Sequence, residues 1–206
     1  MVLDSQQVEN KTGFGEIKYI NYMEKCVFLD RDGVLIKDVG YLKNPDDIIL
    51  MPQTIEALKN LKKIGFLLII VTNQAGVAKG FFTVDDLERV NKRLIKVYET
   101  NDITIDDLYF CPHHENGIVE PYNIKCSCRK PDLGMVVKGV EKFGIDINKS
   151  FMVGDKDSDI LLAKNSGLRS FYIKNSMYEH DENIIPDFYV SDLREAADII
   201  IELQGA

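Results

Sequence analysis

The stretch Cys26-Val-Phe-Leu-Asp30-Arg-Asp32-Gly33 decides how the rest of the chain is read. Four apolar residues bounded by charge predict a short strand buried on both faces, the pattern of a parallel sheet. The strand runs straight into two carboxylates one residue apart, then a glycine. Neighbouring carboxylates raise each other's energy unless a cation or a reaction uses them. One reading makes Asp30 a nucleophile and Asp32 a general acid and base, with Mg²⁺ neutralising the pair. The other makes Asp32-Gly33 an ordinary turn that stops a strand. This segment alone leaves both open.

Outward from it, apolar bursts alternate with helical patterns. Phe66–Val71, Leu108–Phe110, Phe151–Val153, Ser170–Ile173 and Phe188–Val190 read as further strands. Thr54–Ile64 carries Ile55, Leu58 and Leu61 at helical spacing and stops at Gly65. Thr83-Val-Asp-Asp86 resembles a capping box and opens a helix through Leu87, Val90, Leu94 and Val97. Leu133–Phe143, Ile160–Asn165 and Leu193–Leu203 complete the helices. Such alternation predicts an α/β fold, a doubly wound parallel sheet flanked by helices, with ligands beyond the carboxyl ends of the strands.

The other strand ends then favour chemistry. The second strand leads into Thr72-Asn-Gln-Ala-Gly76, a hydroxyl and amides suited to phosphate oxygens, though Thr-Asn is also a common turn. The fourth leads into Gly154-Asp-Lys-Asp-Ser-Asp159. Helix capping would account for Asp157 or Ser158, but poorly for Asp155, which follows a buried strand. Arg129-Lys130 supplies fixed cations for a phosphoryl group. A second cluster, Cys111-Pro-His113 and Cys126-Ser-Cys128, has the ligand chemistry of a tetrahedral structural Zn²⁺ site, which would clip a loop too polar to fold itself. Cys26 reads as core, His114 as a surface or supporting residue, and His180 as solvent-exposed.

Composition bounds the rest. With 25 Lys and Arg against 33 Asp and Glu, the net charge is −8, which argues against a nucleic-acid partner. The longest apolar run, Phe66–Val71, predicts no membrane span, and the polar first residues lack a signal-like core. Four cysteines, two in a C-x-C pair, suit metal binding in a reducing cytoplasm better than disulfides. The expectation is a cytoplasmic protein with one domain over residues 23–206, preceded by an extension of unknown role, residues 1–22, and monomeric.

The runs DRDG at 30–33, Thr72, Lys130 and GDKDSD at 154–159 resemble, in order, the four motifs of the haloacid dehalogenase superfamily of phosphatases. Within it, FLDRDGV, VTNQAGVAKG, YFCPHH and CSCRKPDLGM are similar to a sugar-bisphosphate phosphatase family acting on a heptose, and to its sister group, the histidinol-phosphate phosphatases. The resemblance implies an aspartyl-phosphate formed on Asp30, with Asp32 as acid and base and Thr72 and Lys130 orienting the phosphoryl oxygens. It implies Mg²⁺ held by Asp30, Asp155 and the backbone carbonyl of Asp32. It also implies substrate contacts from Asp38, Tyr41, Asn73, Gln74, Ala75, Arg129, Lys130 and Lys156.

Short spacers between the motifs leave no room for a large cap domain; residues 37–50 form at most a flap. The twelve residues between His113 and Cys126 match the longer loop of the sugar-bisphosphate group rather than the shorter loop of the histidinol group. A phosphorylated sugar is therefore the expected small-molecule partner, with histidinol phosphate as the alternative. A catalytically silent binding protein of the same fold is disfavoured, because Asp30, Asp32, Lys130 and Asp155 are all present. A DNA 3′-phosphatase is opposed by the acidic charge.

Overall fold

The computed structural model describes residues 23–174 and 177–205; the extension expected at residues 1–22 lies outside the described residues. Among the described residues there are six strands: β1 (Cys26–Leu29), β2 (Leu67–Asn73), β3 (Asp107–Cys111), β4 (Phe151–Gly154), β5 (Arg169–Ile173) and β6 (Phe188–Val190). Five helices alternate with them: α1 (Thr54–Lys63), α2 (Val84–Glu99), α3 (Gly134–Phe143), α4 (Asp157–Ser166) and α5 (Leu193–Glu202). Every pairing is parallel, in the order β3-β2-β1-β4-β5-β6. The doubly wound parallel sheet read from the sequence is the observed fold.

Its two faces follow from residue alternation along the strands. Val27 and Leu29 of β1 join a core with Leu58, Val90 and Ile200, from α1, α2 and α5. Cys26 and Phe28 face the opposite core, with Met135, Val136 and Leu162 from α3 and α4. Each such fully buried side chain stabilises the fold by about 1.5–3 kcal/mol relative to exposure. Cys26, with none of its surface accessible, is the core residue expected.

Strand order reverses between β1 and β4, so the loops leaving these neighbours diverge to opposite faces of the sheet and open a crevice. Leu29 pairs with Val153, and the Asp30 N–H donates to the Val153 carbonyl at 3.0 Å. Asp30 and Asp155 are thus carried to the same point by adjacent strands. β2, between β3 and β1, runs further than its apolar core: Thr72 and Asn73 still pair with Phe110 and Cys111. Between β1 and α1, residues 37–50 form the expected flap, tied at its base by an isolated antiparallel bridge between Ile36 and Leu50. Among the described residues no inserted cap domain interrupts the alternation, and no helix is long and apolar enough to cross a membrane.

Candidate active site

Three carboxylates converge at the reversal point. Asp30 is 3 % exposed and Asp155 and Asp159 are fully buried, and one oxygen from each lies within 4.8 Å of the others. Packing enforces this proximity. Gly33, at φ +86°, passes so close that a Cβ there would lie 1.9 Å from Asp155 Oδ2. A Cβ at Gly154 would lie 2.2 Å from the Asp159 Cβ. Both glycines are required by close approach as much as by turning.

Lys130 is the buried counter-charge. Its Nζ lies 2.9 Å from Asp30 Oδ1 and 2.6 Å from Asp159 Oδ1, and donates to the Val71 carbonyl at 2.8 Å. Burial works against the ammonium, but the Asp159 and Asp30 charges outweigh it and raise its pKa. Burial likewise pushes the Asp159 carboxyl up to about 6, against the pull of Lys130. Three carboxylates facing one dedicated ammonium leave two negative charges in excess, since Lys156 is shared with Asp38 and Arg31 is paired with Asp32. A hard divalent cation with oxygen ligands fits that deficit.

Asp32 is held apart from this cluster. Arg31, 1 % exposed, forks onto both its oxygens at 3.0–3.3 Å through Nε and Nη2, while Nη1 donates to Asn91 Oδ1 at 2.8 Å. The Gln74 amide bridges Asp32 Oδ2 at 2.7 Å and the Thr72 hydroxyl at 2.9 Å. Thr72, fully buried at the end of β2, therefore sits beside the acid and base. Asn73 clamps the Lys130 backbone twice, donating to its carbonyl and accepting from its N–H, both at 3.0 Å. That clamp positions Lys130 directly. Ala75 lies in the same loop, where its carbonyl accepts from the Lys79 N–H.

The flap and the loops after β4 and β5 form the opposite wall. Asp38 accepts from Lys156 Nζ at 3.1 Å, the Tyr178 hydroxyl at 2.6 Å and the Gly40 N–H at 2.8 Å. Burial works to raise its pKa, but these donors and the Lys156 charge hold it below the usual carboxylate range. Lys156 also faces Asp155 at 3.9 Å, and these acidic neighbours, Asp30 foremost, raise its pKa well above normal despite burial. Tyr41 is 45 % exposed and stacks on Phe81 with ring centroids 4.1 Å apart, so it lies on the flap surface rather than under it.

Some placements differ from the sequence reading or were absent from it. His180 is packed rather than exposed: it stacks on Tyr172 at 4.4 Å and bonds the Asp157 carboxylate. Asp157, the first residue of α4, bonds His180 and the Asp181 N–H, while Asp159 in the third helical position accepts from the Lys156 N–H at 3.1 Å. Arg31, Asn91 and Tyr178 were not singled out from the sequence. A charged residue placed between two site aspartates was the available signal for Arg31; Asn91 and Tyr178 carry none.

The second cluster assembles as expected. Sγ of Cys111, Cys126 and Cys128 and Nδ1 of His113 stand 3.3–3.7 Å apart along the edges recorded between them. Tetrahedral ligands at zinc–sulfur distance would stand on the order of 3.7 Å apart, so the geometry suits one small thiophilic ion. The four anchor the loop between β3 and α3, and Arg129 reaches back to the His113 carbonyl at 3.4 Å. Beside it lies a cleft of about 200 Å³ lined by His114, Glu115, Ile124, Arg129, Lys130 and Asp132. The loop therefore walls the Lys130 side of the site.

The fold and this carboxylate crevice are those of the haloacid-dehalogenase-like hydrolases, and the HAD-hydrolase-like family model matches residues 127–196. The chain is 40% identical over 148 residues to the D-glycero-beta-D-manno-heptose-1,7-bisphosphate 7-phosphatase of Pasteurella multocida (strain Pm70), covering 72% of this chain and 80% of that one. It is 38% identical over 151 residues to the corresponding alpha-anomer 7-phosphatase of Photorhabdus laumondii, covering 73% and 82%. Among solved structures, the D,D-heptose 1,7-bisphosphate phosphatase of B. bronchiseptica, complexed with magnesium and phosphate, superposes with a TM-score of 0.73 at 25% identity, covering 88% and 99%. The chain belongs to the heptose-bisphosphate phosphatase family of these hydrolases, and it is a phosphatase.

Proposed function

We propose that the protein is a Mg²⁺-dependent phosphatase that removes the 7-phosphate of D-glycero-D-manno-heptose 1,7-bisphosphate. The observation that carries this reading is the buried Asp30, Asp155 and Asp159 cluster with Lys130, in a chain 40% identical to a phosphatase of that name. Asp30 and Asp155, with the Asp32 carbonyl, would hold the Mg²⁺. When bound, that ion neutralises phosphate charge and draws the phosphoryl group toward Asp30.

The rest is work for the side chains. An Asp30 carboxylate oxygen attacks phosphorus in line, the bond to the sugar oxygen breaks, and Asp32, which enters this step protonated, gives its proton to that oxygen. Asp32 then takes a proton from the water that cleaves the aspartyl-phosphate, returning the enzyme to its starting state. Arg31 and Gln74 donate to the ionised Asp32 carboxylate and so hold it for this second transfer, in which it acts as the base. Thr72 and Lys130 bind the non-bridging oxygens, whose charge dominates the transition state. Asn73 contributes by fixing Lys130.

The sugar is taken up by the walls. Asp38 and Tyr41 of the flap, Gln74 and Ala75, and Lys156 are the proposed sugar and phosphate contacts. Arg129, beside the Cys/His loop, anchors the phosphate that is not cleaved. The Cys111, His113, Cys126 and Cys128 cluster would hold Zn²⁺ in a structural role and so keep that wall in place. The test is phosphate release with Mg²⁺ from both anomers of the heptose bisphosphate and from histidinol phosphate. Turnover of either heptose substrate well above histidinol phosphate is expected. Preference for histidinol phosphate, or no release from any of the three, overturns the reading.

A further inference from the structure

We propose that Tyr178 is a positioning residue: it holds Asp38 in place, and so governs affinity for the sugar portion of the substrate rather than the rate of phosphoryl transfer. The effect on the sugar rests on the function proposed above; the effect on the flap does not.

Three loops from three strand ends meet at one carboxylate. Asp38 comes from the flap after β1, Lys156 from the end of β4, and Tyr178 from the connection after β5. Tyr178 Oη and Lys156 Nζ donate to the same oxygen, Asp38 Oδ2, at 2.6 and 3.1 Å. The Lys156 ammonium also lies 4.4 Å from the centroid of the Tyr178 ring. Lys156 cannot hold Asp38 alone without competition, because Asp155 attracts it from the other side at 3.9 Å. Among the described residues, the Tyr178 hydroxyl bonds no carboxylate but Asp38. A hydroxyl bonded to a charged acceptor is among the stronger hydrogen bonds, and Asp38 is only 7 % exposed.

Leu42 packs into the core and Tyr41 stacks on Phe81, but both contacts lie beyond Asp38 in the flap. Its backbone ties are at the base, where the Lys37 N–H donates to Ile49 and the Met51 N–H to Leu35. Val39 and Tyr41 beyond Asp38 are 48 % and 45 % exposed. Asp38 is therefore a buried polar latch between the flap and the loops after β4 and β5. Tyr178, itself 37 % exposed, reaches that latch from outside the core, so its hydroxyl can be removed without opening a cavity.

Tyr178→Phe keeps the ring over Lys156 and removes only the donor. With full-length protein and Mg²⁺, KM for the heptose bisphosphate is expected to rise about tenfold, with kcat within about twofold of the parent. For p-nitrophenyl phosphate, which has no sugar to engage Asp38, kcat/KM should stay within about twofold. In an Asp38→Asn background, adding Tyr178→Phe should change nothing further, since the residue acts through Asp38. Trypsin should cut the substrate-free variant faster at Lys37 or Lys43. An unchanged KM, a loss confined to kcat, or multiplicative losses in the double variant would overturn the inference. If the parent enzyme ignores the heptose bisphosphate, the substrate reading fails, and the cleavage comparison decides the latch: equal rates overturn it, faster cutting upholds it.

Discussion

Replacing Lys130 by Met keeps the length of the side chain and removes its charge. In the native structure the ammonium lies 2.9 Å from Asp30 and 2.6 Å from Asp159, with 2 % of its side chain exposed. Water cannot take over its role there. Removing one partner of a buried ion pair typically costs about 3–5 kcal/mol, because the remaining charge stays desolvated and unpaired. Here two carboxylates lose their partner, so the upper part of that range applies. For a domain of this size, 1 kcal/mol shifts the melting temperature by about 2–4 °C, giving a drop of roughly 10–20 °C. The assay is thermal melting of the parent and Lys130→Met proteins, with EDTA and with excess Mg²⁺. Because the variant cluster is more anionic, Mg²⁺ should stabilise it more than it stabilises the parent. Turnover should fall by about 10²–10³-fold with Mg²⁺ present, through loss of a fixed cation at the phosphoryl oxygens. A variant that melts within about 2 °C of the parent in EDTA would refute the reasoning.

Cys126→Ser or Cys128→Ser should lower the zinc content of purified protein below one ion per chain, measured by elemental analysis, and raise KM more than it lowers kcat. Parent protein purified without chelators and free of zinc would contradict that assignment. At the start of α2, Asp86 accepts from the Thr83 N–H and hydroxyl and pairs with Arg89, which together hold its pKa down to about 2. A pKa depressed by folding means that the stabilisation is complete above about pH 4 and is lost as pH falls toward 2. The melting-temperature difference between the parent and Asp86→Asn should therefore be constant at neutral pH and shrink below pH 4. Thr83→Ala should cost about 1 kcal/mol at neutral pH, read by urea unfolding.

The fold was legible because β1, β2 and β4 are apolar runs of ordinary strand length, each followed by its own helix signal. The order of strands was not. It required the structure to show that Asp30 and Asp155 leave adjacent strands, although the resemblance of the motifs had already joined them. Asp30, Lys130 and the Cys/His cluster could be read from residue type and spacing, since isolated buried charges and paired thiols have few other uses.

Contacts made between distant loops were illegible. Nothing in Tyr178 or His180 as residues announces a partner at Asp38, 140 positions away, or at Asp157, 23 positions away. The reading of His180 as exposed failed for that reason: the ring of Tyr172, from the neighbouring strand, covers it. At α4, residue type allowed capping by Asp157, Ser158 or Asp159, and it is Asp159 that reaches back to the Lys156 N–H. Position decided it: Asp157 is the first residue of the helix, and Asp159 is the third, the place from which a carboxylate reaches the N-cap N–H.

The central claim is that Asp30 is phosphorylated in each turnover. The direct measurement is rapid acid quench of the enzyme with heptose 1,7-bisphosphate labelled in the 7-phosphate, followed by mapping of protein-bound label. Label should appear on the peptide containing Asp30, be released by hydroxylamine as expected of an acyl-phosphate, and be absent from Asp30→Asn, whose turnover should fall by at least about 10³-fold. Full turnover with no label on the protein at any quench time, or substantial turnover by Asp30→Asn, would contradict the account.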